Sequence, residues 1–225
     1  MSNPAKPVAQ PRDAATVVVL RDAAAFGRPC PEVYLIKRSR TVDFMAGAHV
    51  FPGGRLEQAD GSLAACAVRE TFEEAGLMLD AAALVFWVRW ITPEISPRRF
   101  DARFFLARAP EGQEPKVDGH EATEGVWITA AAALQRWEEG TMLLAPATAK
   151  SVEMLLPFAT VADALAAAAR RPPPTAMPVV WNDKETGRAY ISLPGDPRHP
   201  MPDELGGAIR RFELTEGRYR AVRAG

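Results

Sequence analysis

The sequence predicts an α/β fold, a mixed β-sheet with helices on its faces, followed by a C-terminal addition of helices and strands. Strand-like apolar runs and helical patterns mix along the chain without strict alternation, which favours a mixed sheet. The last third changes character at a stiff, proline-rich connector over residues 170–174. We therefore expect a disordered segment over residues 1–13, a main domain over 14–140, and an extension over 141–225 that packs on this domain.

The first elements are predicted to be two strands. Residues 1–13 are polar and interrupted by prolines, which is typical of disorder. Residues 16–20 form a β-branched run and residues 32–37 a second apolar run, with Gly27 and Pro29 in the turn between them. The Phe-Pro-Gly-Gly run at residues 51–54 is predicted to interrupt regular structure.

A helix beginning near Ser62 is the best-defined element. Its apolar stripe follows the helical period and consists of Ala64, Ala67, Val68, Thr71, Phe72 and Ala75. Asp60 or Ser62 can cap its start, and Gly76 suits the residue of positive φ that often follows a helix.

The remaining pattern predicts strands at 84–90, 101–107 and 125–128 and a helix at about 130–138. In the extension, helices are expected near 146–156 and 160–170. Short strands are expected at 177–181 and 188–193.

The composition narrows the class of partner. A formal net charge of −1 gives no electrostatic reason to expect nucleic acid or an anionic membrane as a partner. Two cysteines are too few for a disulfide framework in a chain of this length, and no apolar run reaches the length of a membrane span. We expect a cytoplasmic protein that acts on a small molecule, and the aromatic strand at 84–90 leaves a homodimer open.

The helix carries the residues that point to chemistry. Glu70, Glu73 and Glu74 lie within an arc of roughly 100° and are predicted to face away from the apolar stripe. Carboxylates so close repel each other unless a cation lies among them, and Mg²⁺ or Mn²⁺ prefers such oxygen ligands. Arg69 stands four residues before Glu73 and can orient it. The alternative is a solvated acidic face, the usual fate of a run of charges.

The residues around this helix resemble a known motif. Gly54, Asp60, Arg69, Glu70, Thr71, Glu73, Glu74, Gly76 and Leu77 stand at nearly the spacing of the Nudix box, Gly-x5-Glu-x7-Arg-Glu-U-x-Glu-Glu-x-Gly-U, where U is aliphatic. The chain departs from it in three ways. Asp60 replaces glutamate, one extra residue precedes Arg69, and Thr71 replaces the aliphatic residue.

The resemblance implies the Nudix α/β/α sandwich and a metal-dependent diphosphatase. By this resemblance Glu70, Glu73 and Glu74 hold the divalent cations, with the backbone carbonyl of Gly53 as a further ligand. The cations would neutralise the diphosphate and activate the water that attacks one phosphorus atom. The general base is Glu70 or a residue of the acidic segment 120–127, in which we favour Glu121 over Glu124 and regard His120 as a bystander.

Further residues bear on the substrate. Arg38, Ser39, Gly47 and residues 51–54 resemble the extended motif of coenzyme A diphosphatases, although Asp43 stands where that motif has arginine. Segments 45–54, 92–93, 98–101 and 193–196 resemble the organellar acyl-CoA diphosphatases, which makes CoA or acyl-CoA the leading substrate.

Two alternatives stay open. Pro93 lies sixteen residues beyond Leu77 (93 − 77 = 16), a spacing found in some ADP-ribose-cleaving relatives. A Nudix domain without catalysis, acting as a ligand sensor, is the alternative of another class, although such domains typically lose one of the box glutamates. For substrate binding we predict Arg38, Arg98 and Arg99, because guanidinium groups bind phosphates in a bidentate manner. We also predict Gly54, where the backbone can approach a phosphate. Plain surface arginine is the competing interpretation.

Overall fold

Two sheets and four helices make up the chain in a computed structural model that describes residues 8–25, 27–39, 45–215 and 217–223. The strands of the main sheet are β1 Arg12–Ala25, β2 Arg28–Arg38, β3 His49–Val50, β4 Gly53–Arg55, β5 Val85–Ile91, β6 Phe100–Arg108, β7 Ala122–Thr129 and β8 Thr175–Ala176. The second sheet contains β9 Val179–Asn182, β10 Ala189–Ser192, β11 Ile209–Thr215 and β12 Arg218–Arg223. The helices are α1 Leu63–Ala75, α2 Ala130–Glu138, α3 Pro146–Glu153 and α4 Val161–Ala169.

The main sheet is mixed and is organised around β1. Its strand order is β3-β2-β1-β6-β5-β8, with β4 paired to β1 and β7 paired to β2. The β1–β6 and β5–β8 pairs are parallel and the others are antiparallel. One edge of β1 pairs with β4 through residues 14–16 and with β2 through residues 20–25, so β4 lies beside the part of β1 from which β2 has separated.

Side chains that alternate along β1 divide the core into two layers. Val17 and Val19 pack with the buried side of α1, whereas Val18 and Leu20 pack in a larger cluster that contains residues of α2, α3 and α4. The sheet therefore lies between α1 and the other three helices, which confirms the α/β/α sandwich.

The ends of α1 follow the capping expectation. Ser62 Oγ accepts a hydrogen bond from the Ala65 amide at 3.1 Å, and Gly76 closes the helix at φ 66°. The predicted faces are partly wrong. Phe72 is 54% exposed, whereas Glu74 is 6% exposed and lies on the buried side beside Thr71. Burial follows the side of α1 that meets β1 and β4, which periodicity alone does not locate.

Three other local predictions need correction. β1 begins at Arg12, inside the segment predicted as disordered over 1–13, of which residues 1–7 lie outside the described residues. Pro29 lies within β2, opposite Ala24. Gly53 and Gly54, predicted to interrupt regular structure, form β4 with Arg55 because they pair with Thr16 and Ala15 of β1.

The C-terminal third contributes to both sheets. β8 extends the main sheet beyond β5, and α4 packs on β5 and β6. Trp87 and Trp90 of β5 are consequently buried at 3% and 5% exposure, so neither side chain is free to stack on a base or to form a dimer contact. The predicted strands at 177–181 and 188–193 correspond to β9 and β10, while β11 and β12 were not predicted. Within the described residues, no helix is both long and apolar enough to cross a membrane.

Candidate active site

The backbone of β4 brings the middle of α1 close to the sheet. A Cβ atom at Gly54 would lie 2.6 Å from Glu70 Oε2, so any other residue there would make that carboxylate move from its present position. A Cβ atom at Gly53 would lie 2.6 Å from the Cα atom of Thr16. The two glycines therefore allow close contact on both sides of β4.

Glu74 is the most buried of the three helix glutamates. Its Oε2 accepts a hydrogen bond of 2.8 Å from the Gly53 amide. Burial raises the pKa of Glu74 to about 7, and the charges of Glu70 and Glu121 add to this rise, against the lowering effects of the Gly53 amide and Arg38. Glu74 is thus a carboxyl group whose ionised form needs a nearby positive charge.

Glu70 occupies a similar environment. Burial raises its pKa, the guanidinium of Arg69 at 3.0 Å opposes that rise, and the charges of Glu73 and Glu121 add to it. The electrostatic influence of Glu121 on both Glu70 and Glu74 indicates that this loop carboxylate lies near the helix glutamates.

Arg69 links α1 to the segment that precedes this helix. Its Nε and Nη2 donate to the two oxygens of Asp60 at 2.6 and 3.0 Å, and Nη1 lies 2.9 Å from Glu73 Oε2. This two-point pairing lowers the pKa of Asp60 to about 2. Asp60 was not among the predicted site residues, although its place in the motif could have suggested it.

The departures from the usual motif are accommodated locally. Asp60 ends a short 3-10 helix over Gln58–Asp60, from which its carboxylate reaches Arg69 despite the shorter side chain and the extra residue. Thr71 is fully buried, and its hydroxyl donates to the Ala67 carbonyl at 2.7 Å. A polar side chain is tolerated at an apolar position because its donor is satisfied within the helix.

Glu121 is held through its backbone at the start of β7. Its amide donates to Asp118 Oδ2 at 3.0 Å, and its carbonyl accepts a 2.8 Å bond from the Ser39 amide. The side chain is exposed. Arg38, at the end of β2, pairs in register with Ala122 and lies near enough to lower the pKa of Glu74. Glu124 instead pairs with Lys37 at 2.9 Å.

The two arginines of the β5–β6 loop have different surroundings. Arg99 is 7% exposed and donates to the backbone carbonyls of Thr92 and Ala9 at 3.0 and 2.8 Å. Its guanidinium is thus buried and holds the chain before β1, and its role in phosphate binding stays a prediction. Arg98 is exposed, so its substrate role stays a prediction. Asp43 lies outside the described residues.

The donor set suits a hard divalent cation but is not preassembled. Carboxylate oxygens are the ligands that Mg²⁺ and Mn²⁺ prefer, and burial raises the pKa values of Glu70 and Glu74 by more than the nearby arginines lower them. Among the described residues, no three His, Cys, Asp or Glu side chains converge as a ready metal site. Glu73 is turned to Arg69 and Glu74 to the Gly53 amide, so a cation would have to draw them together.

Comparison with known proteins shows the family of the domain that carries these residues. A sequence profile of the NUDIX domain matches residues 10–145, which include the whole of α1, β4 and the Glu121 loop. This chain belongs to the Nudix family. The Nudix box helix is α1, and the residues after 145 add α3, α4 and the second sheet to the matched domain.

Individual Nudix relatives are similar over different lengths. A Caenorhabditis elegans protein named as a nudix hydrolase is 29% identical over 152 residues, and this chain spans about half (51%) of its length. The acyl-coenzyme A diphosphatase NUDT19 of Xenopus laevis is 24% identical in a match that covers 78% of this chain and 73% of that protein. The crystal structure of a NUDIX hydrolase from Alicyclobacillus acidocaldarius superposes with a TM-score of 0.66 at 25% identity, covering 74% of this chain and all of that one.

Proposed function

We propose that this Nudix protein is a metal-dependent hydrolase that cleaves the diphosphate bond of a nucleoside diphosphate derivative, with CoA or acyl-CoA as its substrate. The observation that carries the proposal is the group of Glu70, Glu73 and Glu74 on one side of α1, with Glu70 against Gly54 and Glu74 bound to Gly53. Such an acidic group repels a diphosphate unless cations lie between them. Family membership supports the same chemistry.

The residues of the Nudix box would have two roles, which are to bind the cations and to orient the side chains that bind them. Glu70, Glu73 and Glu74 would hold Mg²⁺ or Mn²⁺, with the Gly53 carbonyl as a further ligand. A bound divalent cation supplies Lewis-acid polarisation and charge neutralisation at the diphosphate. Arg69, itself held by Asp60, would keep Glu73 in position, and Arg38 would contribute positive charge to the substrate phosphates.

Two carboxylates are candidates for the general base. Burial raises the pKa of Glu70, which makes its carboxylate a stronger base. Glu121 has an exposed side chain on an anchored backbone, which suits contact with an attacking water. Glu70→Gln and Glu121→Gln should therefore be compared by the pH dependence of kcat. Loss of the acidic limb in one variant alone identifies the base.

Similarity to the acyl-CoA diphosphatase supports the substrate proposal. That alignment covers 78% of the chain, so it extends beyond the profile match at residues 10–145 into the C-terminal extension. The competing ADP-ribose hypothesis depends on Pro93. This residue lies in the β5–β6 loop, where its carbonyl accepts a 3.1 Å bond from the Ser96 amide, an ordinary turn role for a proline.

The test is product analysis by mass spectrometry with CoA, acetyl-CoA and ADP-ribose, each with Mg²⁺, with Mn²⁺ and with EDTA. Metal-dependent release of 3′,5′-ADP and a phosphopantetheine from CoA is the expected result. AMP and ribose 5-phosphate from ADP-ribose alone would replace CoA by ADP-ribose as the substrate. Absence of cleavage of all three would contradict the CoA and ADP-ribose proposals together and favour the sensor hypothesis.

Matched variants separate catalysis from folding. Glu73→Gln should lower kcat by at least roughly 100-fold, since it removes a charge that acts in the reaction. Glu111→Gln makes the same chemical change at an exposed glutamate in the loop after β6 and should leave kcat unchanged. Retained ligand binding by Glu73→Gln with no activity in the wild type would favour the sensor.

A further inference from the structure

A turn over residues 118–122 leads into β7 and carries Glu121. The two carboxylate oxygens of Asp118 accept hydrogen bonds from consecutive backbone amides, Oδ2 from Glu121 at 3.0 Å and Oδ1 from Ala122 at 2.9 Å. The Gly119 amide donates to the Ala122 carbonyl at 3.0 Å, and the φ of Gly119 is 77°, in the left-handed region. The Asp118 side chain therefore closes the turn and fixes the backbone of Glu121.

The segment around this turn is attached to two elements of the glutamate site. The Lys116 amide donates to the Ala75 carbonyl at 2.8 Å, which links the segment before Asp118 to the end of α1. The Ser39 amide, just after β2, donates to the Glu121 carbonyl at 2.8 Å. Because both ends of the segment are held, the conformation of the turn decides where the Glu121 side chain lies.

The position of Glu121 is unfavourable in the absence of a cation. Burial raises the pKa of Glu70 and of Glu74, and the charge of Glu121 adds to the rise in both. Like charges at this range repel each other. Within the described part of the chain, no ion pair or hydrogen bond holds the Glu121 carboxylate itself, so only its backbone keeps it near the helix glutamates.

The ionised form of Asp118 suits this anchoring role. Burial raises the pKa of its carboxyl group, but hydrogen bonds from the amides of residues 120–122 lower it by more, to below the ordinary value of 3.8. An ionised carboxylate accepts amide hydrogen bonds more strongly than a neutral group does, and its two oxygens can serve two amides at once. Asparagine would keep one acceptor oxygen and would direct a donor at the second amide.

We propose that Asp118 is a positioning residue that holds Glu121 close to Glu70 and Glu74, so that the loop carboxylate joins the helix glutamates in attracting a divalent cation. The inference rests on the proposed function for the role of Glu121, and it gives Asp118 no contact with substrate or cation. A residue that orients a metal-binding group changes metal affinity through that group. Without its anchor, the Glu121 carboxylate would move away from the other two because they repel it.

Mn²⁺ affinity tests this inference without catalysis. Isothermal titration with Mn²⁺ should compare the wild type with Asp118→Ala, with Glu121→Gln and with the double variant. We expect each single substitution to weaken Mn²⁺ binding roughly tenfold, and the double variant also to lose only roughly tenfold, because both changes remove the same contribution. Independent contributions would multiply to a loss of roughly 100-fold in the double variant.

Two further variants separate this role from a general effect of losing a turn. Asp183 is a matched control, since its Oδ1 accepts from the Glu185 and Thr186 amides at 2.9 and 3.0 Å in a turn of the second sheet. Asp183→Ala should leave Mn²⁺ affinity unchanged. Asp118→Asn keeps one of the two acceptor oxygens and should weaken Mn²⁺ binding by roughly threefold, between the wild type and Asp118→Ala.

Hydrogen exchange measures the anchoring directly. In Asp118→Ala, the amides of Glu121 and Ala122 should exchange at least roughly tenfold faster than in the wild type, because they lose their acceptor. Amides in the middle of β7 should keep their rates, which shows that the strand still forms. In Glu121→Gln all of these rates should stay at the wild-type values, since the substitution leaves the backbone bonds in place.

Several results would overturn the role of Asp118. They are multiplied losses in the double variant, an unchanged Mn²⁺ affinity or unchanged amide exchange in Asp118→Ala, and an unchanged affinity in Glu121→Gln, which would leave Asp118 with nothing to position. Coupled Mn²⁺ losses in a protein that cleaves neither CoA nor ADP-ribose would remove only the proposed activity. Cleavage of CoA together with multiplied losses would remove only the role of Asp118.

Discussion

Replacing Glu74 with glutamine should stabilise the metal-free protein at alkaline pH. Burial is the main cause of a pKa of about 7, compared with an ordinary value of 4.5. Because the folded-state pKa is raised, the folded protein binds more protons than the unfolded chain between these values, and stability falls as the pH rises through that window. At about 1.4 kcal/mol for each unit of difference, the ionised carboxylate costs roughly 3 kcal/mol above pH 7.

Glutamine removes this cost while keeping an oxygen that can accept the bond from the Gly53 amide. We expect Glu74→Gln to exceed the wild type by roughly 3 kcal/mol in unfolding free energy at pH 8, and by less than about 1 kcal/mol at pH 5. For a domain of this size the pH 8 gain corresponds to an increase of roughly 6–12 °C in Tm.

The assay is urea denaturation in EDTA at pH 5 and pH 8, with unfolding monitored by circular dichroism. Glu73→Gln is the control, since the Glu73 side chain is 55% exposed and a substitution there should change stability by less than about 0.5 kcal/mol. An equal stability gain for Glu74→Gln at pH 5 and pH 8, or none at pH 8, would refute the claim that an ionised, buried carboxylate causes the effect.

Three further predictions concern residues around the site and in the extension. Gly54→Ala should lower kcat by roughly 100-fold in steady-state kinetics, because its Cβ atom would displace the Glu70 carboxylate, and an unchanged kcat would contradict this. Burial raises the pKa of Cys66 to about 12, so its thiol should resist iodoacetamide at pH 8 in the folded protein and react in urea. Peptide mass spectrometry measures the alkylation, and alkylation of the folded protein would contradict the prediction. Lys150→Met should reduce the free energy of unfolding by about 3–5 kcal/mol in urea, since Lys150 is fully buried and donates to Glu153 at 2.7 Å and to the Ile209 carbonyl at 2.9 Å. The double variant Lys150→Met with Glu153→Gln should lose less unfolding free energy than Lys150→Met alone. An equal loss would show that the Glu153 carboxylate, left without Lys150, is not the cause of the destabilisation.

The sequence by itself determined the position and ends of α1 and the family to which the chain belongs. The Ser62 cap of α1 and its terminal Gly76 are local signals, and the structure contains both as expected, whereas the burial of Glu74 and the exposure of Phe72 differ from the predicted stripe. The type and spacing of Arg69, Glu70, Glu73 and Glu74 were enough to identify the Nudix family, which the profile match then showed. These features can be predicted from the sequence because they depend on residues within a few helical turns of one another.

Tertiary structure alone decided the electrostatic character of each residue. Glu73 and Glu74 are neighbours in sequence, yet one is half exposed beside Arg69 and the other is buried against Gly53. Arg99 became a buried link to Ala9 because β1 and β6 run side by side, a pairing that the sequence does not display. Burial and long-range pairing depend on which distant segments meet, and they determine whether a charged side chain binds solvent, substrate or its own chain.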